Sequence, residues 1–519
     1  MEKNMKKMYF SLMLLATLFV TSCSMDQKPF GGLDDKSAIR NEKDLYQFRN
    51  ILYSNLRGLT SGGWLYQPDL VADEFVGLLS NGNRNGELNS GNILASTGEI
   101  EGMWGGCYSV IKNCNKLMEE ADKLLGQEGL TDAQVLAIKR YRAEASFTRA
   151  YAYFFLADHF CQSYTQTNPE AEHSGLPLQT VYYPTSNASY YPDRSTLAET
   201  FSLIETDLAN AYDGIKAYEA SGASDVADLL KPDAAYVSSF AVEAMMARVA
   251  LVKGDYPTAL AKAKDVITNG AYTLTTIADY KKLWTNDTGT EVIFRPFMSN
   301  TELGASVGVA YISSDNQTCD YIPTYATLNT FAVEGDVRFD TFFEVNEGVK
   351  VEGGTYALYQ FVKFPGNPTL RTGSTNNLIN MCKPFRLSEM YLIAAEAAAR
   401  TNVDGSSYLN TFLKNRIEDY QAASFTSEQL LTSALRQRQL EFVGEGFRLS
   451  DLRRLGLGFS RTADYPAAMG INGIITVKSA SVTYKAGDYR YTWPIPQSEL
   501  DSNTKLKTQQ NPGYADKSV

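Results

Sequence analysis

The chain has 519 residues, with 48 Lys and Arg against 59 Asp and Glu, a formal charge of −11. No long Lys/Arg run offsets that balance, which argues against nucleic acid and against electrostatic adhesion to anionic lipid. Only two His accompany 32 Tyr, 25 Phe and 4 Trp; this disfavours His-based catalysis and zinc chemistry and suits surfaces that stack on ligands, although most rings belong to a core.

Lys3, Lys6 and Lys7 open the chain, and Met8 to Val20 form an apolar run broken only by Ser11 and Thr17. Such a run is too short to span a bilayer and has the form of a cleaved secretory segment. Val20-Thr21-Ser22-Cys23 then places small residues before a cysteine, the pattern of a bacterial lipobox in which Cys23 is the site of lipid attachment. Two or more acyl chains convert marginal membrane binding into stable anchoring. The predicted division is a signal peptide over 1–22, a lipidated tether over 23–40 and a single domain over 41–519. Three Lys and one Glu leave with the signal, taking the charge from −11 to −13. The five later cysteines (Cys107, Cys114, Cys161, Cys319 and Cys382) cannot all pair and match no metal spacing, so they are expected as buried thiols.

Leu45, Phe48, Leu52 and Leu56 share one face of a helix predicted over 42–57. Residues 58–100, rich in Gly, Asn and Ser, are expected as a long irregular loop. Helical spacing returns over 103–125. Capping boxes at Thr131 and Thr196 open helices to about Phe160 and Ile215. Helices over 233–253 and 258–269 flank a Gly254-Asp255-Tyr256-Pro257 turn, with Ala244, Ala247, Ala250, Ala259 and Ala263 where they meet. This is a tetratricopeptide-type hairpin, which cannot bury its face alone and must stack on others. A similar pair is predicted at 389–400 and 407–420, followed by a single helix from a Thr426 capping box. Residues 284–380 and 456–496 hold short strand-like runs (291–297, 356–364 and 475–484) within long loops. Loops of that length are functional or disordered, and their aromatic content argues against disorder. The fold class expected is mostly α: an α-helical scaffold of stacked hairpins with long irregular loops and minor β, and a loop-rich insertion over about 284–380.

Several stretches resemble the SusD/RagB family of Bacteroidetes outer-membrane lipoproteins. They are Arg142 to Phe160, Ala247 to Tyr256 with Gly270-Ala271-Tyr272-Thr273-Leu274, Asp336-Val337-Arg338, Phe385 to Ala398, Arg438 to Arg454, and Trp493-Pro494-Ile495-Pro496 before Gln510 to Tyr514. They stand in the family's order behind a lipobox and span nearly the whole mature chain. One departure is Gln437-Arg438-Gln439-Leu440-Glu441, where the family commonly shows Glu-Arg-Arg-x-Glu-Leu. The resemblance implies a SusD-like lipoprotein on the outer membrane, facing the cell surface. It would cap a SusC-type TonB-dependent transporter and deliver captured oligosaccharide to it. A peptide-capturing RagB-like subunit is the alternative, and a surface hydrolase a more distant one.

Gly304-Ala305-Ser306-Val307-Gly308 matches the nucleophile-elbow pattern, but its surroundings are loop-like, His159 ends a scaffold helix and His173 sits in a polar loop. The two His are fourteen residues apart and match no metalloprotease spacing. No catalytic residue, cofactor or metal ligand is expected. Arg448, Asp451, Arg453 and Arg454 lie in a family-like stretch and are expected to tie a helix end to its neighbours. Sugar capture needs flat rings to stack on pyranose faces, with polar groups fixing the hydroxyls. Among loop rings (Tyr182, Tyr183, Tyr190 and Tyr191 included), polar company favours Tyr311, Tyr321 and Tyr325 with Asn316 and Asp320; Trp64 and Tyr66 come second.

Overall fold

The computed structural model describes residues 39–514. The predicted signal peptide, Cys23 and nearly all of the tether lie outside the described residues. The body is mostly helical. In chain order the main helices are α1 (Glu42–Leu59), α2 (Gly63–Val71), α3 (Gly86–Ser90), α4 (Gly98–Leu125), α5 (Asp132–Phe160), α6 (Leu197–Glu219), α7 (Ser239–Lys253), α8 (Tyr256–Asn269), α9 (Leu387–Arg400), α10 (Ser406–Lys414), α11 (Ser427–Phe442) and α12 (Arg448–Arg454). The strands are β1 (Phe75–Gly77), β2 (Val292–Phe294), β3 (Tyr321–Pro323), β4 (Phe343–Val351), β5 (Gly354–Phe361), β6 (Phe385–Arg386), β7 (Phe459–Thr462) and β8 (Ser481–Tyr484). They form two-stranded antiparallel pairs: β1 with β3, β2 with β6, β4 with β5, β7 with β8.

Helices α4 to α9 pack as neighbours in sequence, α9 then meets α10 and α11, and α1 lies across α4 and α5. Each start is chemically marked. The side chains of Thr131, Thr196 and Thr426 accept the amides three residues on, and each capping box is closed by the returning Gln or Glu. The hairpin turn between α7 and α8 places Gly254 at φ +83, a left-handed conformation in which a side chain would be strained. Helix α7 begins later than its apolar pattern suggests: Ser238 accepts the Ala241 amide as its cap, while Asp233 sits at φ +63 and belongs to the preceding turn. In α10 the helix ends at Lys414, short of the predicted Tyr420.

Two large hydrophobic clusters and a small third one (Met298, Leu370, Ile379 and Cys382) divide the interior of the described residues. The larger belongs to the helical stack. The second is built by the 284–380 stretch together with Leu70, β1 and Ile471 to Ile475. Buried charges stitch the seam. Arg386 Nη1 donates to Glu291 at 2.7 Å and Glu441 at 2.8 Å, and Arg416 Nε donates to Glu441 at 2.9 Å, all wholly buried. Groups this deep are tolerated only because each is paired and hydrogen-bonded. The five cysteines of the described residues are all buried and free.

Candidate functional site

The stretch 58–100 is not the irregular loop expected from its composition. It holds α2, α3 and β1, and β1 pairs with β3 in the register Phe75↔Pro323, Val76↔Ile322 and Gly77↔Tyr321. The Leu78 amide extends the pairing by donating to the Asp320 carbonyl at 2.8 Å. The two loop regions singled out for ligand contact, far apart in sequence, therefore form one face.

Arg84 and Asp320 hold that face together. Arg84 Nε and Nη2 donate to the two Asp320 oxygens at 2.7 and 2.5 Å, a bidentate pair. The Tyr321 hydroxyl donates to the Arg84 carbonyl from beneath. The Arg84 side chain is still 68% exposed, so its remaining N–H groups face solvent. The hydrogen bonds that Arg84 donates to Asp320, and the Asp320 charge, raise the Arg84 pKa further. Beside it, Gln67 Nε2 donates to Asn85 Oδ1 at 2.8 Å. Half-buried Tyr66 adjoins Asn85; burial pushes its phenol upward, and Asp320 and Arg84 lie within electrostatic reach.

The Asn-rich tips have a conformational reason. Asn83, Asn85 and Asn316 sit at φ +61, +51 and +58, left-handed positions that Asn tolerates better than most side chains. Asn316 tops a turn in which Ser313 Oγ accepts the Gln317 and Thr318 amides, and Asn346 Nδ2 donates to its carbonyl at 2.7 Å.

Two of the predicted contact rings are not exposed. Tyr311 and Tyr321 are wholly buried. Tyr311 packs on Phe75 and Phe361 at 4.6 and 4.8 Å between ring centroids. The polar residues between these tyrosines form the outer turn, while the rings point into the second core. Tyr325 is half-buried, starts the helix Tyr325–Thr330, and lines a different groove of about 660 Å³ with Phe339 and Tyr359. Trp64 is half-buried on α2, edge-on to Phe155 at 4.9 Å, and borders a groove of about 580 Å³ with Arg57, Gln67 and Glu99. A more open ring pair is Tyr183 and Tyr190, 59% and 61% exposed, which lie 5.3 Å apart beside a groove of about 610 Å³. Their Pro- and Ser-flanked loop was the available signal.

Ser306 of the elbow-like pentapeptide donates to the Leu378 carbonyl at 2.6 Å and accepts the Val309 amide. His159 Nδ1 bonds the Phe155 carbonyl at 2.8 Å and His173 Nδ1 the Arg194 carbonyl at 3.3 Å. Neither His is engaged with that serine. Arg448 pairs with Asp73, Arg453 with Asp158 and Arg454 with Glu396 and Asp451, so this cluster ties α12 to its surroundings. Among the described residues no group of His, Cys, Asp and Glu is arranged to hold a metal ion, and no helix is long and apolar enough to cross a membrane.

A helical stack joined to a loop-built second core, with a polar face bearing rings, has the architecture of a SusD-like protein. The model of the SusD family matches residues 334–514, and a second model, described as starch-binding associating with outer membrane, matches residues 33–251. Between them they take in most of the sequence, and the chain belongs to the SusD family. A SusD superfamily protein from Bacteroides thetaiotaomicron is 26% identical with a TM-score of 0.74, covering 91% of this chain and 100% of that one. A SusD-like carbohydrate binding protein from Bacteroides vulgatus is 19% identical with a TM-score of 0.69, covering 90% and 98%. Surface glycan-binding protein A from Bacteroides fluxus is 18% identical with a TM-score of 0.64, covering 91% and 100%. The last two likenesses speak to the fold alone. No curated protein matches the chain.

Proposed function

We propose that this protein captures an oligosaccharide outside the cell, without cleaving it, and delivers it to a SusC-type TonB-dependent transporter while tethered to the outer membrane by lipid at Cys23. The observation that carries the proposal is the match to the model described as starch-binding associating with outer membrane, over the segment that supplies Tyr66 and Arg84. The chemistry fits. Arg84, fixed by Asp320, offers N–H donors to hydroxyls; Asn83 and Asn85 offer both donors and acceptors; Tyr66 offers a ring for an apolar sugar face. Asp320 serves by holding Arg84, and Asn316 by shaping the adjoining turn. Trp64 extends the face along its own groove, whereas Tyr325 stands apart.

A glycan and peptide array with purified residues 24–519 tests the ligand class, and titration calorimetry with the best glycan tests the residues. Tyr66→Ala and Arg84→Ala should each weaken binding by about 1–3 kcal/mol at matched thermal stability. Binding of peptides alone, release of a cleaved product, or unchanged affinity in both variants would count against the proposal.

A further inference from the structure

The loop between α5 and α6 carries two rings that the fold leaves in water. Among the described residues, Tyr183 and Tyr190 are the one ring pair in contact with both members more than half exposed. Val181 beside them is 70% exposed. Single apolar groups on a surface need no explanation, but three together along one groove mark a contact site.

The loop does not leave these rings free to fold inward. Buried side chains of α4 and α5 pin its first half. Asn115 Nδ2 donates to the Gln179 carbonyl at 2.9 Å, the Tyr153 hydroxyl accepts the Gln179 amide at 2.7 Å, and Arg149 Nη1 donates to the Thr180 carbonyl at 3.3 Å. The second half is closed by the Tyr191 hydroxyl on the Thr185 carbonyl at 3.2 Å and by Asn503 Nδ2 on the Pro192 carbonyl at 2.9 Å. Rings presented by a pinned loop bind with little further loss of conformational freedom.

The shape of the pair narrows the occupant. Its ring planes are tilted by 60°, so the two cannot both lie flat on one sugar ring. They can stack on successive units of a chain whose ring planes turn. The Gln179 amide and the Lys112 ammonium line the same groove, and neither side chain has a hydrogen-bond or ion-pair partner among the described residues. An apolar protein face laid on the rings would leave both unpaired, whereas a glycan brings hydroxyls to them.

This groove shares no lining residue with the groove beside Trp64. Helix α4 sets their spacing: Gly102 borders one and Lys112 the other, roughly 15 Å along the axis at about 1.5 Å per residue. We propose that the Tyr183–Tyr190 groove is a second glycan-binding site, which holds successive units of an extended oligosaccharide independently of the outer face. The assignment rests on the glycan-capture reading above. A long chain that touches both sites is held more tightly than either site alone would hold it.

Affinity electrophoresis of the full chain in mild detergent, through gels containing soluble starch, xylan, galactomannan or polygalacturonate, tests it. At least one polymer should retard the wild type. Tyr183→Ala combined with Tyr190→Ala should weaken that binding about tenfold or more at an unchanged unfolding midpoint. Phe at both positions, which keeps the stacking faces, should restore it. Tyr66→Ala combined with Arg84→Ala should leave a weaker retardation, which the combination of all four substitutions removes. Full retardation of the Tyr183 and Tyr190 alanine variant, or complete loss on removing the outer face alone, would overturn the second site and leave surface capture standing. An alanine variant that binds every polymer as the wild type does, yet no longer brings down a transporter barrel, would make this face a protein contact and overturn it as well. No retardation of the wild type in any of the four gels would overturn the second site and the glycan-capture reading together.

Discussion

Asp69 and Glu74 are wholly buried, and each keeps one carboxylate oxygen without a partner. Asp69 Oδ2 accepts the Gly446 amide at 2.7 Å. Burial, only partly offset by the Gly446 and Arg448 amides, pushes the Asp69 carboxyl up to about 7, and burial followed by the Asp69 charge pushes Glu74 well above its usual range. The opposite holds at the seam, where burial would raise Glu441 but Arg416 and Arg386 outweigh it and hold the carboxyl well below that range. The pH consequence follows from the signs. A folded pKa above the unfolded value of 3.8 gives stability that is complete below that value and is lost as pH rises through about 7. Depressed acids such as Asp451, at about 2, act in the opposite sense only at more acid pH. Asp69 should therefore pull the unfolding midpoint down between about pH 4 and pH 7, against the rise that buried neutral His159 contributes below about pH 6.5, and Asp69→Asn, which retains an oxygen for the Gly446 amide, should remove that pull. Thermal melts of both proteins across that range check it; parallel curves would show that Asp69 is ionised in the fold.

At the scale of elements, the α7–α8 hairpin depends on small residues at close packing. Ala247, Ala259 and Ala263 are wholly buried. Ala247→Trp should overpack α7 against its neighbours and cost about 1–3 kcal/mol in denaturant unfolding; an unchanged midpoint would mean the helices have slack. Elements of this kind were legible because their signals are local. The boxes at Thr131, Thr196 and Thr426 each fix a helix start within four residues, and the Gly254 turn is written in one tetrapeptide. The β1–β3 pairing had no such trace. It joins segments separated by most of the scaffold, and its consequence, that Tyr311 and Tyr321 turn inward while Asp320 and Asn316 stay at the rim, depends on which face meets the second core. Composition read 58–100 as loop because Gly and Asn are turn residues. Yet α2 forms there with Pro68 inside it, its Asp69, Leu70 and Val71 buried by contacts that lie elsewhere in the chain.

For the whole molecule, the two cores have separate tasks: the helical stack supplies a rigid body, and the loop-built core presents the outer face. A chain with a formal charge of −11 has little electrostatic attraction to an anionic lipid surface, so a lipid at Cys23 would have to supply the attachment. Delivery, as proposed, would use a channel supplied by another chain. A tagged full chain, extracted from native membranes in mild detergent, should bring down a large TonB-dependent barrel of the SusC type. Cys23→Ala should shift the protein out of the membrane fraction, because the anchor is lost while the folded body is untouched. The two results separate the ideas. A variant that still fractionates with membranes and still carries acyl chains defeats the lipid anchor. A wild-type protein recovered only as a free monomer defeats the transporter partnership, leaving capture at the surface to be explained without delivery.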